Sequence, residues 1–280
     1  GTYKTKEGRR TKKRGLLSVT DAIEANMLTL VKNHVNGYFT DDSLEGIYGK
    51  ENNFEAPIKR IEETGGLSHI NHPTDWLQAI KYPDCATKKE NVDFFADILR
   101  RYKSCLGIEV LNMKDIPNRC DRILWDNLLK LLTPHGRKVF GFANSDAHQV
   151  DQIDTAFMDF ILPEYSLATL RNAMETGTFF SIARYAKNEL GEDFVGHGPC
   201  PRVIGIEVDD DTDTITIKGI NCSEIDWIAD GETIKTTTIE KDGEVRQRIP
   251  YDNKEDLALM QNHRNIFVEA DCKAICKYFG

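Results

Sequence analysis

The sequence predicts an α/β protein: a parallel sheet, open or closed into a barrel, followed by a small β-domain. Three observations carry that expectation. From about residue 55 to 183, strand-like and helix-like segments alternate, the helical ones ten or so residues long. Beyond Pro199-Cys200-Pro201 the helical periodicity stops, and strand-like runs follow between Asp- and Gly-bearing turns such as Asp230-Gly231 and Asp242-Gly243. The chain of 280 residues, 40% hydrophobic and 29% charged, exceeds one typical domain of roughly 100–200 residues and excludes disordered and collagen-like classes. A boundary is placed near residues 197–201, giving an α/β unit over 1–198 and a β-sandwich-like unit over 199–280.

The elements follow in order. Ala56-Pro57 opens a helix with proline in its first turn, and Gly65-Gly66 closes it. A short strand over 66–70 ends in Asn71-His72-Pro73. Residues 90–104 form an amphipathic helix with Val92, Phe95, Ala96 and Leu99 on one stripe, broken by Ser104-Cys105-Leu106-Gly107. Ile108 to Leu111 reads as a buried strand, and 121–132 as a helix stopped at Thr133-Pro134-His135-Gly136. Lys138 to Ala143 is a strand leading into Asn144-Ser145-Asp146-Ala147-His148. A strand over 155–162, a helix capped by Ser166 and a strand over 178–183 complete the series. The tail adds strands over 203–208, 214–220, 225–229, 233–239 and 266–270.

Charge and cysteine usage narrow the function classes. The net charge is −9, yet residues 1–14 hold seven basic residues against one acidic and carry +6, leaving −15 for the rest. An acidic body argues against nucleic-acid binding, which wants a basic face, and the basic arm reads as a solvated start. No apolar run approaches the ~18–20 residues of a membrane span. The 7 cysteines are scattered without a CxxC pair, so reduced thiols in a cytoplasmic protein are expected.

Polar residues of metal-binding type gather just after predicted strands, where parallel sheets collect ligands. Asp146 and His148, two apart in an extended segment, are expected on one face, an oxygen/nitrogen pair suited to Zn, Mn or Fe. Pro73 is expected to hold His72 extended, aiming its ring from a strand end. His69, inside the strand, reads as a core histidine. Glu109, between Ile108 and Val110, is costly to bury unless paired or metal-bound, which leaves an edge position, an ion pair or a site role open. Glu24 and His34, taken alone, read as an ordinary glutamate and a surface histidine. His135 and His263 lie in turn contexts, and His197 in a linker.

Read in order, His-Pro after a strand, Gly107-Ile108-Glu109-Val110-Leu111-Asn112, and Ser145-Asp146-Ala147-His148 after Phe142-Ala143-Asn144 resemble the PHP (polymerase and histidinol phosphatase) superfamily over roughly residues 15–195. The resemblance implies a distorted (β/α)₇ TIM-like barrel, here partial, and a metal-dependent phosphoesterase with two or three divalent ions, commonly Mn, Zn or Fe. His72, Asp146 and His148 match ligands of that family, Glu24 its bridging glutamate, and His34 a frequent histidine. Glu109 and Asn112 match its strand-end motif, implying a catalytic role for Glu109 and a substrate-binding one for Asn112. The implied partner is a small phosphate ester or nucleotide, with no membrane. The family's opening His-x-His strand, Asp and Asp-His pair have no counterpart in the twenty or so residues before Glu24. The expectation is therefore a fragment, a misassigned start or a degenerate member, with weakened metal binding and little turnover. The rival expectation is a non-catalytic PHP-like binding or scaffold module.

Overall fold

The computed structural model of the protein describes residues 21–28, 31–41, 54–113, 115–153, 155–184, 200–209, 211, 214–221, 224–229, 232–238, 245–250, 265–270 and 274–279. The segment 185–199, which holds the expected domain boundary and His197, lies outside the described residues, as does His263.

The chain opens with strands β1 (Ala22–Leu28) and β2 (Val31–Tyr38), paired antiparallel with Glu24 opposite Asn36 and Asn26 opposite His34. The two residues between them permit no other direction, because a parallel return needs a crossover of a dozen or more. Helix α1 (Glu55–Glu63) follows, with Pro57 in its first turn, and Gly65 leaves it at φ 78°. Strand β3 (Leu67–Ile70) leads directly into the short helix α2 (Pro73–Trp76). Helix α3 (Lys89–Arg101) buries Val92, Phe95, Ala96 and Leu99, as the periodicity predicts. Arg137 closes it by donating Nε to the Leu99 carbonyl at 2.7 Å and Nη2 to the Tyr102 carbonyl at 3.4 Å, where the helix dipole favours a cation.

Strand β4 (Cys105–Leu111) is buried at every position, as a strand covered on both faces must be. The predicted break at 104–107 is thus mostly strand. Helix α4 (Asp115–Leu132) starts six residues earlier than predicted and packs Leu124, Trp125 and Leu128 into the core. Strand β5 (Phe140–Ala143), strand β6 (Ala156–Phe160), helix α5 (Leu167–Thr176) and strand β7 (Phe179–Ala183) complete the α/β part. Ser166 caps α5 by accepting the Thr169 amide at 3.2 Å. Ser166→Ala is expected to cost about 1 kcal/mol, read from urea denaturation.

The sheet is mixed and open. Its order is β1-β2-β3-β4-β5, with β3–β4 and β4–β5 parallel and β1–β2 and β2–β3 antiparallel. Strands β6 and β7 pair antiparallel in a separate sheet, tied to β5 by the Ser181 hydroxyl donating to the Gly141 carbonyl at 2.7 Å. Among the described residues no ladder closes a ring, so the expected barrel gives way to two adjoining sheets. The physical reason lies in the connections: α3 and α4 supply the crossovers that parallel pairing needs, while β1–β2 lacks one.

Seven further strands follow: β8 (Arg202–Asp209), β9 (Thr214–Ile220), β10 (Glu224–Ala229), β11 (Glu232–Thr238), β12 (Val245–Pro250), β13 (Asn265–Ala270) and β14 (Ala274–Phe279). They form a three-stranded sheet β12-β9-β8 and a hairpin β10-β11, while β14 pairs with β7. Cys200 and Val203 pack on Phe180 and Ile182 at the outer face of β6–β7.

Candidate metal centre

A cleft of about 340 Å³ opens at the carboxyl ends of β3, β4 and β5, lined by Glu24, Asn71, His72, Glu109, Asn144 and Asp146 among others. Glu24 and Glu109 lie on strands, Asn71 and Asn144 directly after one, and His72 and Asp146 in the turns that follow.

Glu24 and His34 meet across the β1–β2 ladder, with His34 Nδ1 2.9 Å from Glu24 Oε1. That contact, with desolvation working against it, holds the Glu24 carboxyl below its ordinary range and ionised. The His72 ring sits edge-on to that of His34, centroids 4.9 Å apart. Glu24, His34 and His72 can bring one ligand atom each within 4.8 Å of one another. Two imidazoles and a carboxylate are a donor set suited to Zn, Mn or Fe, so the residues fit a divalent ion.

His72 is not extended, as Pro73 led us to expect, but lies at φ 27°, ψ 56°. Three bonds override the local preference. The Asn71 amide donates to the His34 carbonyl at 3.0 Å, the His72 amide to Glu109 Oε2 at 2.7 Å, and the Asp75 amide to the His72 carbonyl at 3.0 Å. Such a backbone costs on the order of 1–3 kcal/mol and persists only where its surroundings impose it.

Asp146 and His148 stay together, with His148 Nδ1 3.8 Å from Asp146 Oδ1, but not through an extended segment. Asp146 adopts φ 48° and turns an almost buried carboxylate to the cleft, its side chain 12% exposed. The His148 side chain is 74% exposed, stands off the cleft lining, and bonds the Asp146 carbonyl through Nδ1 at 2.8 Å. The left-handed turn at Asp146 replaces the extended geometry expected of the pair without parting the two side chains.

Glu109 is buried, and N–H donors surround its carboxyl. The Asn144 amide donates to Oε1 at 2.8 Å, while the His72 backbone and the Asn112 amide, at 3.1 Å, donate to Oε2. Burial nonetheless pushes its pKa up to about 8. Asn112 lies behind Glu109, buried and off the cleft lining.

No family model matches the chain, and no curated protein matches it. A solved two-domain protein from Bacteroides vulgatus containing a predicted PHP-like metal-dependent phosphoesterase is similar at 18% identity, with a TM-score of 0.43 over 83% of this chain. The chain spans 66% of that protein's length, just under two thirds.

Sequence reasoning passed over three asparagines, Asn36, Asn71 and Asn144, that line the cleft. Asn71 donates to Asn36 Oδ1 at 2.9 Å and to Glu24 Oε1 at 3.3 Å. Asn71 and Asn144 each end a strand beside a predicted ligand, and that position was the available signal.

Proposed function

We propose that the protein is a metal-dependent phosphoester hydrolase of the PHP type, cytoplasmic, acting on a small phosphate ester or nucleotide. The convergence of Glu24, His34 and His72, the first and last of which line a cleft shared with Asp146, carries this reading. Residues 1–198 then form the catalytic unit and 199–280 a β-domain whose last strand, β14, joins the sheet of β7.

Glu24, His34 and His72 would hold the ion, and Asp146 adds a carboxylate on the same cleft. A divalent ion bound there would supply Lewis acidity and lower the pKa of a water, so that hydroxide is available as a nucleophile near neutral pH. Glu109, the catalytic candidate, faces the cleft while its carboxyl fixes the His72 amide. Asn112 orients that carboxyl, so its reach toward substrate runs through Glu109. His148, its Nδ1 3.8 Å from Asp146 Oδ1, would join that carboxylate as a ligand.

Metal content by mass spectrometry, on protein purified without chelator, tests the reading. At least one equivalent of Mn, Zn or Fe is expected, reduced tenfold or more in His72→Ala and Asp146→Ala, with phosphoesterase turnover falling in parallel. No metal above background after manganese is added would overturn the proposal in favour of a non-catalytic binding module.

A further inference from the structure

His69 lies one strand residue before Ile70 and is fully buried. Its ring stacks on Phe142, centroids 4.1 Å apart at 5°, with Tyr38 on the other side at 5.7 Å. Two side-chain amide nitrogens approach Nε2, Asn144 Nδ2 at 3.0 Å and Asn36 Nδ2 at 3.4 Å.

These contacts fix the ring's protonation. Asn144 Nδ2 also donates to Glu109 Oε1, so it is the amide's NH₂ end and carries hydrogens. An N–H on Nε2 would then confront another N–H at 3.0 Å, so the contacts favour Nε2 as the acceptor and place the proton on Nδ1, a buried atom that meets no hydrogen-bond partner among the described residues. Burial supports the same state, pushing the pKa down to about 3 against the weaker pull of Glu24. From this one atom the hydrogen bonds run in two directions. One leads through Asn144 to Glu109, and the other through Asn36 and Asn71 to Glu24.

We propose that His69 is a positioning residue of the cleft: a permanently neutral acceptor whose Nε2 orients Asn36 and Asn144 and, through them, Glu24 and Glu109. It does not ligate metal, although it shares its segment with His72, because its one free lone pair is already engaged. The effect on metal affinity rests on the metal-centre reading above. The tautomer and the amide contacts do not.

Nuclear magnetic resonance of the full chain, metal-free, decides the first part. Long-range ¹H–¹⁵N correlations are expected to show His69 protonated at Nδ1, bare at Nε2 and unchanged from about pH 5 to 8. A protonated Nε2, or titration in that range, overturns the proposal. His69→Phe keeps the stacking and removes the acceptor, while His69→Gln restores a carbonyl oxygen near the Nε2 position. With His69→Phe the Asn36 and Asn144 side-chain amide signals are expected to shift and lose protection. Mn²⁺ affinity is expected to weaken roughly tenfold or more, with recovery in His69→Gln. Unchanged amide signals with unchanged affinity overturn the proposal. If the parent protein binds no Mn²⁺, the metal-centre reading fails, and His69 is judged on the tautomer and amide signals alone.

Discussion

Gly107→Ala is expected to remove more than about 4 kcal/mol of stability, enough to abolish soluble expression. A Cβ at Gly107 would stand 1.8 Å from the Phe140 carbonyl oxygen and 2.7 Å from both the carbonyl carbon and the amide nitrogen of that residue. All three are backbone atoms, so no rotamer change relieves the clash. Gly107 and Phe140 are registered partners in the parallel β4–β5 pair, and β4 is buried along its length. An alanine can be admitted only by moving the two strands apart. That breaks their ladder and pulls Glu109, two residues on, away from Asn144 and the cleft. Gly136→Ala is the control: Gly136 has φ +75° and nothing within 4 Å of its Cβ, so only the backbone preference is lost, about 1 kcal/mol. Urea denaturation of both variants separates the two mechanisms. A Gly107→Ala loss no larger than that of Gly136→Ala would show that β4 and β5 part easily.

Local chemistry was legible in the sequence where one segment contains both cause and effect. Pro57 in the first turn of α1, Gly65 beyond its end, the apolar stripe of α3 and the Ser166 cap all sit where they were expected. What depends on two segments was not. Strand β2 carries Asn33, His34 and Asn36, which blur the alternation expected of a half-buried strand, so its pairing with β1 went unread. Without that pairing nothing places His34 beside Glu24, and the pair entered only through a family resemblance. The direction of β2 and β6 is likewise set by which strand each meets, not by its own residues. His72 shows the same limit most sharply. The proline after it argues for an extended backbone, and hydrogen bonds from three separate places impose the opposite.

Asp121→Asn is expected to stabilise the chelator-treated protein by up to about 4 kcal/mol above neutral pH, and by little near pH 4. Asp121 is fully buried on α4, where Oδ1 accepts the Thr74 amide at 2.8 Å and Oδ2 meets no donor. Desolvation raises its pKa from 3.8 to about 7, and the Thr74 side chain, the Thr74 amide and Arg122 recover only part of that shift. Between those values the native protein holds a proton that the unfolded chain releases. Stability therefore falls as pH rises through the window and levels above about 7. Asparagine keeps the oxygen that Thr74 needs and removes the charge, so the turn into His72 survives while the pH-dependent loss disappears. Glu109, pushed from 4.5 up to about 8, adds a second fall over its own window, so some slope remains in the variant. Urea midpoints at pH 4, 6 and 8.5 test this. If Asp121→Asn is less stable than the parent at pH 8.5, the carboxylate is ionised and wanted there. Arg122, beside it on α4, would then hold the carboxylate charged, and the bond from the Thr74 amide that links α2 to α4 would be a charge-assisted one rather than a neutral one beneath the candidate metal centre.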